Sequence, residues 1–139
     1  SRGSGEYFDG KWVGRGAAWG DFDDDGNVDL VVLDTSGPPH LLRNEGGTGN
    51  HWIKVDARLA GGKTAAIGAR VTVATGERVQ FHDVIPVNGY LAQGDPRVHF
   101  GLGPATKADR VEIRWPDGTT RTLTDVPGDQ ILTVVQGES

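Results

Sequence analysis

The chemistry of this chain is concentrated in nine residues. Asp21-Phe22-Asp23-Asp24-Asp25-Gly26-Asn27-Val28-Asp29 carries five carboxylates and no Lys or Arg. The formal net charge of the whole chain is −5, so everything outside this stretch sums to zero. Carboxylates packed this closely repel one another, and a hard divalent cation reverses the sign of that problem. Calcium takes about six to eight oxygens from carboxylates, carbonyls and water. Asp21, Asp23 and Asp25 alternate, so a tightly wound loop aims all three at one centre. Gly26 sits where such a loop bends, and a residue without Cβ reaches positive φ at little cost. Asn27 offers its backbone carbonyl, and Asp29 closes the shell. The expected cofactor is Ca2+, held by Asp21, Asp23, Asp25, Asn27 and Asp29. Asp24 falls between ligand positions and faces water. The bland alternative is a solvated acidic turn that binds nothing specifically.

The elements that must position these residues are strands. An EF-hand loop needs a bidentate Glu at its twelfth position, and here that position is Val32. The flanks are not helical either. Leu30-Val31-Val32-Leu33 is a short apolar run rich in β-branched residues, and Gly14-Arg15-Gly16-Ala17-Ala18-Trp19 precedes the loop. The expected unit is a β-hairpin gripping calcium in its turn.

Composition supports an all-β chain. Twenty-two Gly and seven Pro, with no fixed G-X-Y period, argue for many turns between short strands. No window sustains a 3.6-residue apolar period. At 139 residues the chain builds one core, or one domain with a small appendage. It has no cysteine, hence no disulfide or thiolate chemistry. A pI near 5.2 without a Lys/Arg cluster makes nucleic acid an unexpected partner. No membrane span or signal peptide is visible. Weak calcium sites belong mostly to extracellular modules, so the expected location is extracellular, periplasmic or on the cell surface.

In chain order, residues 1–11 read as a flexible leader or cloning remnant. Residues 12–47 read as the calcium hairpin and a third strand, His40 to Asn44. A Gly-rich joint over 45–50 precedes a second β domain, residues 50–139. There, strands are expected over 52–59, 69–75, 78–87, 97–100, 109–115, 120–123 and 130–135. Trp52 to Leu59 alternates apolar and polar residues, the pattern of a half-buried strand with its polar side toward solvent. Asp117-Gly118 marks a hairpin turn. About seven short strands with turns every 8–12 residues predict a β-sandwich or barrel. Val71, Val73, Val79, Phe81, Ile85, Val111, Ile113 and Trp115 are expected to point inward. Trp19 and Trp52 are expected to be core anchors, whereas Trp12 has no clear place.

Two families are suggested by these residues. Gly20 to Leu30 resembles the calcium hairpin of FG-GAP/VCBS repeats, which are blades of β-propellers. The rest resembles the ASPIC/UnbV domain through Asn50-His51-Trp52-Ile53, Ile67-Gly68-Ala69-Arg70-Val71, Gly89-Tyr90-Leu91-Ala92-Gln93, Val98-His99-Phe100-Gly101-Leu102-Gly103 and Val111 to Gly118. The resemblance implies a secreted protein with upstream propeller blades. Lys63-Thr64-Ala65-Ala66 is shorter than the polar insert usual in that family. A single repeat cannot bury both faces of its sheet, so the hairpin needs a neighbour.

Other site signals are weaker. Tyr90, Gln93, Asp95 and Arg97 lie close in sequence, and ring, amide, carboxylate and guanidinium groups together suit a sugar or an acidic polymer. The bland reading is a loop bonded to its own backbone. His40, His51, His82 and His99 show no zinc-like spacing. No nucleophile elbow, P-loop or HExxH motif is present. The expected function is a calcium-binding, non-catalytic scaffolding module that contacts a glycan or protein. The alternatives are an accessory domain of a secreted or biosynthetic enzyme and a structural cap of a β-propeller.

Overall fold

The computed structural model describes residues 6–46, 49–89 and 92–138. In chain order the strands are β1 (Gly14–Gly20), β2 (Asp29–Asp34), β3 (His40–Leu42), β4 (His51–Arg58), β5 (Arg70–Thr75) and β6 (Arg78–Asp83). Then follow β7 (Val87–Gly89), β8 (Ala92–Gln93), β9 (Val98–Gly103), β10 (Lys107–Arg114), β11 (Thr120–Pro127) and β12 (Gln130–Val135). The fold is all-β. Ten strands lie in three sheets, β7 and β8 form a two-stranded ribbon, and the described residues contain no α-helix. Two compact units emerge, Ser1–Gly46 with Val87–Gly94, and Gly47–Pro86 with Asp95–Ser139.

The first unit is an antiparallel meander, β1-β2-β3. Its register pairs Trp19 with Leu30, and Leu30 with Leu42. Paired residues share a face, so Trp19, Leu30, Val32 and Leu42 stand on one side. Val31, Leu33 and Leu41 stand on the other. The unbroken apolar run of β2 suits a strand covered on both faces. Before β1, Glu6–Asp9 forms a 3-10 turn, so this part of the expected leader is structured; residues 1–5 lie outside the described residues. Tyr7 stacks on Trp12 with ring centroids 5.6 Å apart, and the Trp12 indole donates to the Tyr7 carbonyl at 2.7 Å.

The second unit is a sandwich of two sheets, β11-β10-β5-β6 and β12-β4-β9. All neighbours are antiparallel except β12 and β4, which run parallel. One sheet contributes Val71, Val73, Val111 and Ile113, and the other Ile53, Val55, Ala57 and Phe100, to a single apolar core. Burying each of these larger side chains contributes about 1.5–3 kcal/mol. Trp115 is a core residue, as expected. The β10–β11 hairpin closes at the Asp-Gly turn. Gly118 takes φ 87, and the Asp117 carboxylate accepts from the Thr119 backbone N–H at 2.9 Å.

Several inward assignments are overturned. Val79 and Phe81 are both 59% exposed, and Ile85 is exposed as well. The β5–β6 register explains why. Val71 faces His82 and Val73 faces Gln80, so the core side of β6 carries its polar residues. Phe81 instead lies under the Arg70 guanidinium, 4.7 Å from the ring centroid. Trp19 is 50% exposed, not a core anchor. Trp52 is half-buried on the face opposite Ile53 and Val55, stacked on His99 at 5.8 Å. Nor is β4 a half-buried strand. It is the middle strand of its sheet, and Lys54 (1% exposed) and Asp56 are buried on its second face.

Candidate metal centre

The acidic loop spans the eight residues between β1 and β2. Its backbone is a series of bends, not a helix. Asp24 takes φ 56 and Gly26 φ 89. Asp tolerates the left-handed region better than most residues, and Gly enters it freely. These two reversals wind the loop back over Asp21.

Two carboxylates anchor the winding. Asp21 is 4% exposed and Asp29 3% exposed. The two oxygens of Asp21 accept backbone N–H groups of Asp25 and Gly26, both at 3.0 Å. Asp29 accepts from Phe22 at 3.2 Å and from Asn44 at 2.8 Å. Burying a carboxylate without such partners costs several kcal/mol. A carboxylate has about four lone-pair sites, so Asp29 has capacity beyond its two amide donors.

Asp21, Asp23 and Asp29 come together. One oxygen of each lies within 4.8 Å of the others. Calcium binds oxygens at about 2.3–2.6 Å, and an oxygen-only set selects a hard cation over zinc or copper. The donor chemistry therefore fits calcium. Asp25 is placed differently. Its Oδ1 accepts the Asn27 backbone N–H at 2.8 Å, and its Oδ2 lies 3.7 Å from Arg43. The Asn27 amide donor, with help from the Asn27 side chain, holds the Asp25 carboxyl below the usual carboxylate range. Asn27 is half-buried, and Asp24 is exposed as expected.

Sequence reasoning missed Arg43 and Asn44. Arg43 pairs with Asp23 at 2.8 Å. The signal was available in hairpin arithmetic: β3 returns antiparallel to β2 with Leu42 opposite Leu30. The next residues then arrive beside Asp29, where the loop ends.

The second candidate group divides between the two units. Tyr90 lies outside the described residues, and Gln93 ends β8 in the first unit. Asp95 and Arg97 belong to the second unit and pair at 2.6 Å. They line a cavity of about 320 Å3 with Asp56, Arg58 and Lys63, three residues that sequence reasoning had not selected. Asp56 and Arg58 are two apart on β4, on the polar face of its apolar/polar alternation. Among the histidines, His51 Nδ1 lies 2.6 Å from the Asp129 carboxylate. His82 contacts the Phe100 ring at 5.1 Å.

The family model described as ASPIC and UnbV matches residues 60–139. Cartilage acidic protein 1 of Xenopus tropicalis is 34% identical over 120 residues, covering 84% of this chain and 18% of that protein. Its counterparts from Mus musculus and Homo sapiens are each 36% identical over 109 residues, covering 76% of this chain and 17% and 16% of theirs. These matches are longer than the family segment and so extend N-terminal to it. The chain spans less than a fifth of the length of these curated relatives.

Proposed function

The chain belongs to the ASPIC and UnbV family, and on that premise we propose that it is a calcium-stabilised, non-catalytic binding module working outside the cell. The convergence of Asp21, Asp23 and Asp29 carries the calcium reading. Asp21 and Asp29 are already oriented by backbone donors. A cation entering between them neutralises repulsion without reorganising the loop. Its effect is to hold the ends of β1 and β2 in one geometry. Three carboxylates suit the weak calcium affinities of extracellular modules, and the curated relatives carry cartilage in their name. In the described residues no helix is long and apolar enough to cross a membrane.

The test is a thermal melt with calcium and with excess chelator. At calcium about 100-fold above the dissociation constant, the bound form gains about 2.7 kcal/mol. A raised midpoint with calcium, lost in an Asp23→Asn variant, is the expected result. An identical midpoint in both buffers would overturn the calcium reading.

A second reading is favoured by the first unit's sheet. Trp19 on one face and Leu33 and Leu41 on the other are about half exposed, an unusual arrangement for a strand pattern made for burial on both sides. In this reading the sheet is one blade of a propeller, and an upstream sheet of the same longer protein covers it. Adding the upstream sequence should protect β2 amides from hydrogen exchange. Unchanged protection would count against it.

A further inference from the structure

The charged cavity of the second unit is built to one plan. Arg58 donates through Nε to Asp56 at 2.9 Å and through Nη1 to the Gly62 carbonyl at 2.9 Å. Arg97 donates through Nε to Asp95 at 2.7 Å. Each guanidinium is thus held in place by a carboxylate two residues before it. The Asp56 hydrogen bond and charge raise the Arg58 pKa, and the Arg97 charge acts in the opposite direction. Lys63, exposed, adds a third cation to the same lining. Three cations face two carboxylates, a local excess of +1 in a chain whose net charge is −5.

That balance defines a ligand. It must bring one negative charge for the guanidinium and ammonium groups, since oriented cations bind oxyanions by charge-assisted hydrogen bonds. It must also bring hydroxyl donors, because Arg58 engages only Oδ2 of Asp56 and a carboxylate offers about four lone-pair sites, whereas Arg97 engages both oxygens of Asp95. At about 320 Å3 the cavity stands at the small end of ligand sites, larger than a simple inorganic anion needs. A zwitterion matches less well. Its two charges cancel, whereas the lining carries a net positive charge.

We propose that this cavity binds a single acidic sugar of the uronic-acid type. Its carboxylate lies among Arg58, Arg97 and Lys63, and a hydroxyl donates to Asp56. This deepens the reading of the chain as a binding module and does not depend on the calcium loop. Because the cations are already oriented, little side-chain freedom is lost on binding.

The test is an amide NMR titration of the full chain with sodium glucuronate, beside glucose, glycine and inorganic sulfate. The expected result is a saturable response at Arg58, Lys63, Asp95 and Arg97 with glucuronate, and responses at least about tenfold weaker with the other three. Lys63→Gln is exposed and should leave the spectrum otherwise intact while weakening glucuronate binding about threefold or more. Arg97→Gln should abolish it. No local response to glucuronate overturns the proposal, as does an equal response to sulfate or glycine. An undiminished response in Lys63→Gln overturns it too. A chain that melts higher with calcium yet ignores glucuronate loses only this assignment. One that binds glucuronate equally with chelator present keeps it whatever the loop does.

Discussion

The Arg43 guanidinium lies 2.8 Å from the Asp23 carboxylate, so the acidic loop is partly neutralised by a cation from its own chain. The guanidinium comes from the residue just after β3, and the carboxylate is one of the three that converge. On the proposed calcium reading, Arg43 and the ion would compete for Asp23, whereas Asp21 and Asp29 also accept backbone amides.

Arg43→Gln should tighten calcium binding. Both partners are partly exposed, and such pairs are worth about 0–1 kcal/mol, so the gain is at most about fivefold. The same variant should melt slightly lower in chelator, where its charge compensates the loop. Calorimetric titration reads the first effect and a melt the second. Weaker calcium binding in the variant would mean that Arg43 supports the site instead of competing for it.

Asp29→Asn and Asp23→Asn should behave differently. Asp29 accepts two backbone N–H groups through two oxygens. An amide keeps one oxygen and sets an N–H donor against another, which costs about 1–3 kcal/mol. Asp29→Asn should thus lower the melting point even in chelator. Asp23→Asn should leave the chelator melt almost unchanged and remove only the increment due to calcium. Equal losses in chelator would show that the two carboxylates play the same part.

Acid should destabilise the second unit partly through Asp83. Hydrogen bonds from Arg70, at 2.7 and 3.0 Å, hold the Asp83 carboxyl below the ordinary value of 3.8. A group depressed in the folded state contributes stability above its unfolded pKa and loses it as pH falls through the folded value. Melts should therefore be nearly flat at neutral pH and fall below about pH 4. Asp83→Asn should show a shallower fall over that acid range. A parallel acid limb in the variant would remove Asp83 from the account.

Core and surface substitutions should separate by face. Ile113 is fully buried, and Ile113→Ala should cost about 2–5 kcal/mol by urea unfolding. Phe81→Thr should cost no more than about 1 kcal/mol, the worth of its exposed contact with Arg70. A large loss at Phe81 would mean that β6 pairs in the other register.

The clearest failure of sequence reasoning lies on β6, and its cause is general. Val79, Phe81 and Ile85 alternate as a buried strand should, yet the pairing of β6 with β5 turns Gln80 and His82 to the core side. A shift of one residue exchanges the two faces of a strand, and only the partner strand decides it. Likewise Asp56 and Arg58 read as a solvent face. Yet Asp56 is buried on that face and Arg58 is half-buried there.

What the one-dimensional chain determined was local. Alternation and turn residues marked most strands and the Asp117-Gly118 hairpin, since pleat and turn geometry act over a few residues. The spacing of the Asp residues likewise marked the loop. The fold alone decided which carboxylates meet, that Arg43 joins them, and that Arg58 and Arg97 share a cavity. The last two meetings join residues far apart in sequence, and no local preference contains the register of strands that brings them together.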